Sequence, residues 1–380
     1  MPSTHALLAP SDMQITTRNK MDGFSLVELL VGLVIGLLAT LAIMQVFSAF
    51  DGQKRSTSGS SDAQTNGSLG LYSLKRDVQL AGYALPLNGS ENTALRCSIA
   101  PLFDHDDNVG TPGISMWPLD IVDGGNAAGA SDTVIVRYGD SASGGIPIKI
   151  SGTSGGNTLL VPTNMSCNNN DVIFVVTGNS CNVTRANDTA LNSPIPRSDN
   201  THITVVNAVG ISSATAISCL GAWNEQIYQV VNGNLTRNGT PIVAGVVNIQ
   251  AQYGISGTPA DNRITQWVDA TGAWLAPGNT SAACSSTAGN RNCIKAIRVA
   301  VIARNGLLEK TAISQPCSST TAANPTGICA WDATSANPVN PSPAPAVNLT
   351  NTASWTNYRY RVYESIIPLR NIVWTKDKLL

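Results

Sequence analysis

Charged side chains make up only 12% of this 380-residue chain and nearly cancel, with 23 Lys and Arg against 24 Asp and Glu. Nothing in that balance supports nucleic-acid binding by phosphate neutralisation, so no nucleic-acid partner is expected. Histidine is scarcer, at three residues, and His105 and His202 are the only candidate bases in the body of the chain. No Cys-x-x-Cys pair occurs, which argues against a zinc finger. No internal repeat is visible. Strands do not alternate with helices after residue 86, and that excludes a doubly wound parallel sheet.

What the chain does have is a long apolar run near its start. Gly23-Phe24-Ser25-Leu26-Val27-Glu28-Leu29 opens a nearly uncharged stretch that reaches Phe50, long enough to span a bilayer. Glu28 is the only charge in it, and an acid in a membrane segment costs on the order of 2.5–3.5 kcal/mol. The run far exceeds the apolar core of a secretory signal, about 7–15 residues, and lacks a small-x-small exit. Basic residues flank it evenly, with Arg18 and Lys20 before and Lys54 and Arg55 after, so the positive-inside rule does not orient it.

All eight cysteines lie beyond this run: Cys97, Cys167, Cys181, Cys219, Cys284, Cys293, Cys317 and Cys329. An even number there reads as disulfides formed in an oxidising compartment. Close spacing suggests Cys167–Cys181, Cys284–Cys293 and Cys317–Cys329, which leaves Cys97–Cys219 as the long-range bridge; other pairings stay open. The N-terminus is then cytoplasmic and the cysteine-bearing part lies outside.

Residues 24–50 read as one helix, with Gly32 and Gly36 forming a step that lets another helix approach. Residues 51–67 are polar and rich in Gly and Ser, so this stretch is expected to loosen or melt. Leu71, Leu74, Val78 and Leu85 then restore helical periodicity until Pro86 stops it. Tyr72 and Tyr83 are expected to pack against the sheet. Beyond that point the signals are β: short Val- and Ile-rich runs at 132–138, 171–176, 203–206 and 227–231, and longer ones at 243–253, 296–303 and 358–367. Asn232-Gly233-Asn234 reads as a hairpin turn. Residues 311–356 form a Pro/Ser/Thr-rich loop stapled by Cys317 and Cys329.

The Gly23–Phe24–Glu28 block resembles the leader of type IV prepilins and pseudopilins. Segments 76–83, 246–254, 294–304 and 358–371 narrow the resemblance to PilW-type minor pilins. The resemblance implies that prepilin peptidase cleaves after Gly23, that Phe24 is then N-methylated, and that Glu28 meets the N-terminal amine of a neighbouring subunit during assembly. It also implies other minor pilins and the major pilin as partners, and a PilY-type tip adhesin as a further one. Asp22, just before the cleavage point, departs from the pattern, since such leaders often carry a basic residue nearby. Met13 would give an eleven-residue leader.

Three motifs invite other chemistry. Asp104, Asp106 and Asn108 alternate as in a calcium loop, but Val109 stands where such loops turn on glycine. Gly152-Thr-Ser-Gly-Gly156 fits a hydrolase nucleophile motif in letters only, because no strand–helix elbow surrounds it. Trp331, Trp355 and Trp374, with Tyr358 and Tyr360, read first as core aromatics and second as recognition groups.

The expected fold is α+β. A leader at 1–23 and a membrane-spanning helix at 24–50 precede a joining segment at 51–86. A mainly antiparallel, disulfide-bonded domain follows at 87–380. The expected function is a non-enzymatic, cofactor-free minor pilin in type IV pilus assembly and initiation, at or near the tip. It would reside in the inner membrane before assembly and in the pilus afterwards. A type II secretion pseudopilin and a membrane-anchored adhesin or glycan-binding module are the alternatives.

Overall fold

The computed structural model describes residues 23, 25–85, 102–103, 113–177, 180–195, 197, 199–207, 211, 216–278, 281–319, 325–331 and 347–373. Helix α1 runs unbroken from Leu26 to Leu80, 55 residues. The expected loosening at 51–67 does not occur. Propensity alone penalises each glycine there by about 1 kcal/mol, but the small residues recur on one face. Gly59, Ala63, Gly67 and Gly70 are all buried, and they let the helix backbone press onto a sheet. A Cβ at Gly67 would collide with the Tyr363 ring, and one at Gly59 with the Asn305 side chain. Close packing thus outweighs weak local preference.

The helix also ends earlier than Pro86. Gly82 adopts φ +74°, a left-handed value that favours glycine, and its N–H donates to the Arg137 carbonyl at 2.9 Å. Contacts divide the chain inside α1, between Ser56 and Thr57.

Two larger sheets organise the rest. The first comprises β1 (Leu119–Val122), β2 (Thr133–Gly139), β3 (Trp223–Val231), β4 (Asn234–Arg237) and β5 (Thr240–Ala244), in spatial order β5-β4-β3-β2-β1. Asn232 and Gly233 both take positive φ, 50° and 73°, and so supply the tight turn joining β3 to β4. The second comprises β6 (Val246–Ser256), β7 (Ile264–Val268), β8 (Ile294–Arg304) and β9 (Tyr360–Pro368), in order β7-β6-β8-β9. Every pairing within both is antiparallel.

Strand β8 is buried on both faces. Ile297, Val299 and Val301 join Leu74 and Val78 of α1 in the main core. The alternate residues face the other way: Ala300 packs with Trp331, and Ile302 with Ile328 and Leu349. This period-two division explains why β8 reads as a continuous apolar run. A short helix, α2 (Arg370–Val373), follows β9, and Asn371 Nδ2 donates to the Ala81 carbonyl at 3.0 Å beyond the end of α1.

A smaller antiparallel sheet, with strands at Ile148–Lys149, Val172–Thr177, Ser180–Arg185 and Ala216–Cys219, has its own core around Ile173, Val175 and Ile217. Cys167 bonds Cys219 here, not Cys181 as spacing suggested. Strand Ala216–Cys219 pairs beside Val172–Thr177 and carries Cys219 to the segment just before that strand, so sheet register prevails over proximity in sequence. Cys181 is itself disulfide-bonded, and Cys97 lies outside the described residues. Cys284–Cys293 and Cys317–Cys329 are paired.

Candidate functional site

The first turn of α1 is built from Ser25, whose carbonyl accepts the N–H groups of Glu28 at 2.9 Å and Leu29 at 3.1 Å. This places the Glu28 carboxylate in the first helical turn, where the unpaired N–H groups of the helix favour negative charge. Among the described residues, nothing lies within 4 Å of a Cβ placed on Gly23. Phe24 lies outside the described residues.

Every residue from Leu26 to Phe50 is exposed, Leu26 and Met44 by 77% and 75%. Apolar groups surround the helix on all sides, and a Cβ at Gly32 or Gly36 would touch nothing among the described residues. Thr40 turns its hydroxyl back to the Leu37 carbonyl at 2.8 Å, so its donor is satisfied inside the helix. A cylinder whose backbone polar groups are satisfied within the helix and whose exterior is largely apolar suits lipid or other helices as its solvent. Among the described residues, α1 is the one helix long and apolar enough to cross a membrane.

The second half of α1 carries a buried acid that the periodicity did not reveal. Asp77 is 2% exposed; it accepts from the Tyr228 hydroxyl at 2.6 Å and lies 3.7 Å from Arg237. Desolvation, and then the Asp77 carboxylate, raise the Tyr228 phenol well above its usual range. Asp77 thereby fastens α1 to β3 and β4 through a charge-assisted hydrogen bond. Tyr72, expected to pack on the sheet, instead stands 63% exposed, because it lies off the face formed by Gly67, Gly70 and Leu74.

Buried cations mark β8. Arg298 lies between the rings of Trp267 and Trp331, 5.1 and 4.2 Å from their centroids, with the side-chain amide oxygen of Gln252, Oε1, accepting from its Nε at 2.8 Å. Burial lowers its guanidinium to about 9. Lys295 donates to the Pro259 carbonyl at 2.9 Å, and burial lowers its ammonium to about 8. Trp331 is buried, as expected of a core aromatic; Trp374 lies outside the described residues. The visible signal for these groups was the pair of charges interrupting the apolar run of β8.

Little of this resembles a catalytic or metal centre. Among the described residues no group of three or more His, Cys, Asp or Glu is placed to hold a metal ion; Asp104, Asp106 and Asn108 lie outside them. Gly152–Ser154 is a strand paired with Thr158–Leu160, so the Gly-x-Ser-x-Gly letters belong to a hairpin. The His202 imidazole faces Asp199 at 2.9 Å and Asp188 at 3.7 Å.

Residues 216–371 match the family model of the type IV pilus-assembly protein W. Residues 18–44 match the prokaryotic N-terminal methylation motif. No curated protein gives a significant match. A solved type IV-like pilin from Thermus thermophilus aligns over 81% of this chain and 96% of its own, with 11% identity and a TM-score of 0.30, too low to bear on fold or function.

Proposed function

Because this chain is a PilW-type minor pilin, carrying that family's domain behind a prepilin methylation motif, we propose that it acts in initiating type IV pilus assembly and stays at or near the tip. The observation that carries this reading is the contrast along α1: an apolar half whose side chains are exposed is continuous with a half that anchors the folded domain. Such a helix can wait in the inner membrane and later pack among other pilin helices.

In this proposal prepilin peptidase cuts after Gly23, and Phe24 becomes the methylated terminus. The α-amino cation then pairs with Glu28 of a neighbouring subunit. Both charges would otherwise sit unpaired at membrane depth, so pairing removes two unfavourable burials together. Helix packing drives assembly, while Glu28 selects the neighbour and the axial register. Other minor pilins, the major pilin and a PilY-type tip adhesin are the proposed partners.

Intact-mass and N-terminal analysis of protein from sheared filaments and from membranes tests this. A methylated Phe24 terminus in the filament fraction supports processing and incorporation together. Processed chain confined to the envelope would replace the proposal with a secretion pseudopilin, and chain still carrying Gly23 would replace it with an anchored binding module.

A further inference from the structure

A cavity of about 510 Å³ opens between edge strand β1 and the 275–278 loop. Arg291 lines it and is only 5% exposed. Its position is fixed by its own backbone: Arg291 N–H donates to the Gly278 carbonyl at 2.8 Å, and the Cys284–Cys293 bond closes the segment two residues on. The guanidinium lies over the Trp117 ring, 5.5 Å from its centroid.

Yet Nε and Nη2 of Arg291, both shielded from solvent within the cavity wall, have no acceptor among the described residues. Those two groups form the side-on fork that matches the two oxygens of a carboxylate. Burial without a counter-ion lowers this guanidinium to about 10, a sign of an uncompensated charge. Asp120 also lines the cavity; its carboxylate pairs with Arg137 at 2.5 Å, a cation it shares with Glu225. The rim is apolar: Val122 is 49% and Leu275 66% exposed.

We propose that this cavity binds a carboxylate borne on a small apolar body, with the Arg291 fork on the carboxylate and Val122 and Leu275 against the apolar part. A buried cation lacking acceptors gains most from an anion, and the rim rewards a ligand that is not merely an ion. Either a free short-chain acid or the carboxyl terminus of a polypeptide has this chemistry.

The test is calorimetric titration of the full-length chain in detergent micelles with sodium 4-methylvalerate, against empty micelles. Saturable one-site binding is expected, with a dissociation constant on the order of millimolar. The isosteric 4-methylvaleramide should bind at least about tenfold more weakly, having lost the charge-assisted fork. Arg291→Gln should abolish binding. Leu275→Asp, on the exposed rim, should weaken it at least about tenfold by like-charge repulsion without shifting the thermal midpoint. No saturable heat, equal affinity for the amide, or binding retained by Arg291→Gln would each overturn the proposal. N-acetyl-alanyl-leucine separates the sources: tighter binding than 4-methylvalerate supports a polypeptide terminus, and weaker binding supports a free acid.

Discussion

The two halves of α1 obey opposite rules. Residues 26–50 have the composition of a core yet are exposed, whereas 57–80 have the composition of a loop in their first turns and sit against a sheet. Apolar content therefore reports where a segment will end up, not what it touches in the isolated chain. Small polar residues, conversely, can mark tight docking when they recur at helical spacing. The two acids make the same point. Glu28 stands at the exposed end, and Asp77 is buried against Tyr228.

The contrast is broken most severely at Glu28. Glu28→Ala should reduce incorporation into filaments at least about tenfold, since an unpaired charge at membrane depth costs on the order of 2.5–3.5 kcal/mol. Its thermal midpoint should not move. Immunoblotting of sheared pili against total protein, beside a melting curve, checks both.

A pH titration addresses the domain alone. Asp132 is buried, and desolvation pushes its carboxyl up to about 7, even though it accepts the N–H groups of Gly124 and Ala251. The folded domain therefore keeps a proton that the unfolded chain has lost. This contribution is full below about pH 4 and is lost as pH rises through 7, up to about 4 kcal/mol in all. Denaturant midpoints measured from pH 5 to pH 8 should fall, and Asp132→Asn should flatten the slope.

Asp77→Ala should cost about 1–3 kcal/mol of domain stability by removing a buried charge-assisted hydrogen bond and leaving the Tyr228 hydroxyl only the longer contact to the Ser73 carbonyl, 3.2 Å, measured by urea unfolding. The same loss of an acid at Glu28 should cost the domain nothing, and equal effects would erase the contrast between the two halves of α1. Gly67→Val should destabilise by about 1–3 kcal/mol through overpacking against Tyr363. Gly36→Val should stay within about 0.5 kcal/mol in the same urea assay.

Much of the β architecture was legible because β-branched runs between turn residues have a simple period. The hairpin at Asn232-Gly233 and the long strand β8 followed from local chemistry alone. The continuity of α1 did not, because the residues that dock it are poor helix formers whose advantage exists only against Tyr363 and Asn305. The partner of Cys167 was hidden for a related reason: strand pairing between distant segments decides which sulfurs meet. Of the candidate sites, the N-terminal motif was plain, since a lone acid in an apolar run is costly wherever it occurs. Asp77 and Arg291 were not, because their meaning depends on burial that only the fold creates.

The small-residue face of α1 also has a mechanical consequence. Its buried positions, Gly59, Ala63, Gly67, Gly70, Leu74 and Val78, are spread over several turns rather than gathered at one end. A pull along the helix axis loads these contacts side by side, in shear, so they must yield together. A pull across the axis would open them one at a time, like a peeled strip. The attachment is therefore strongest along the direction of the helix itself.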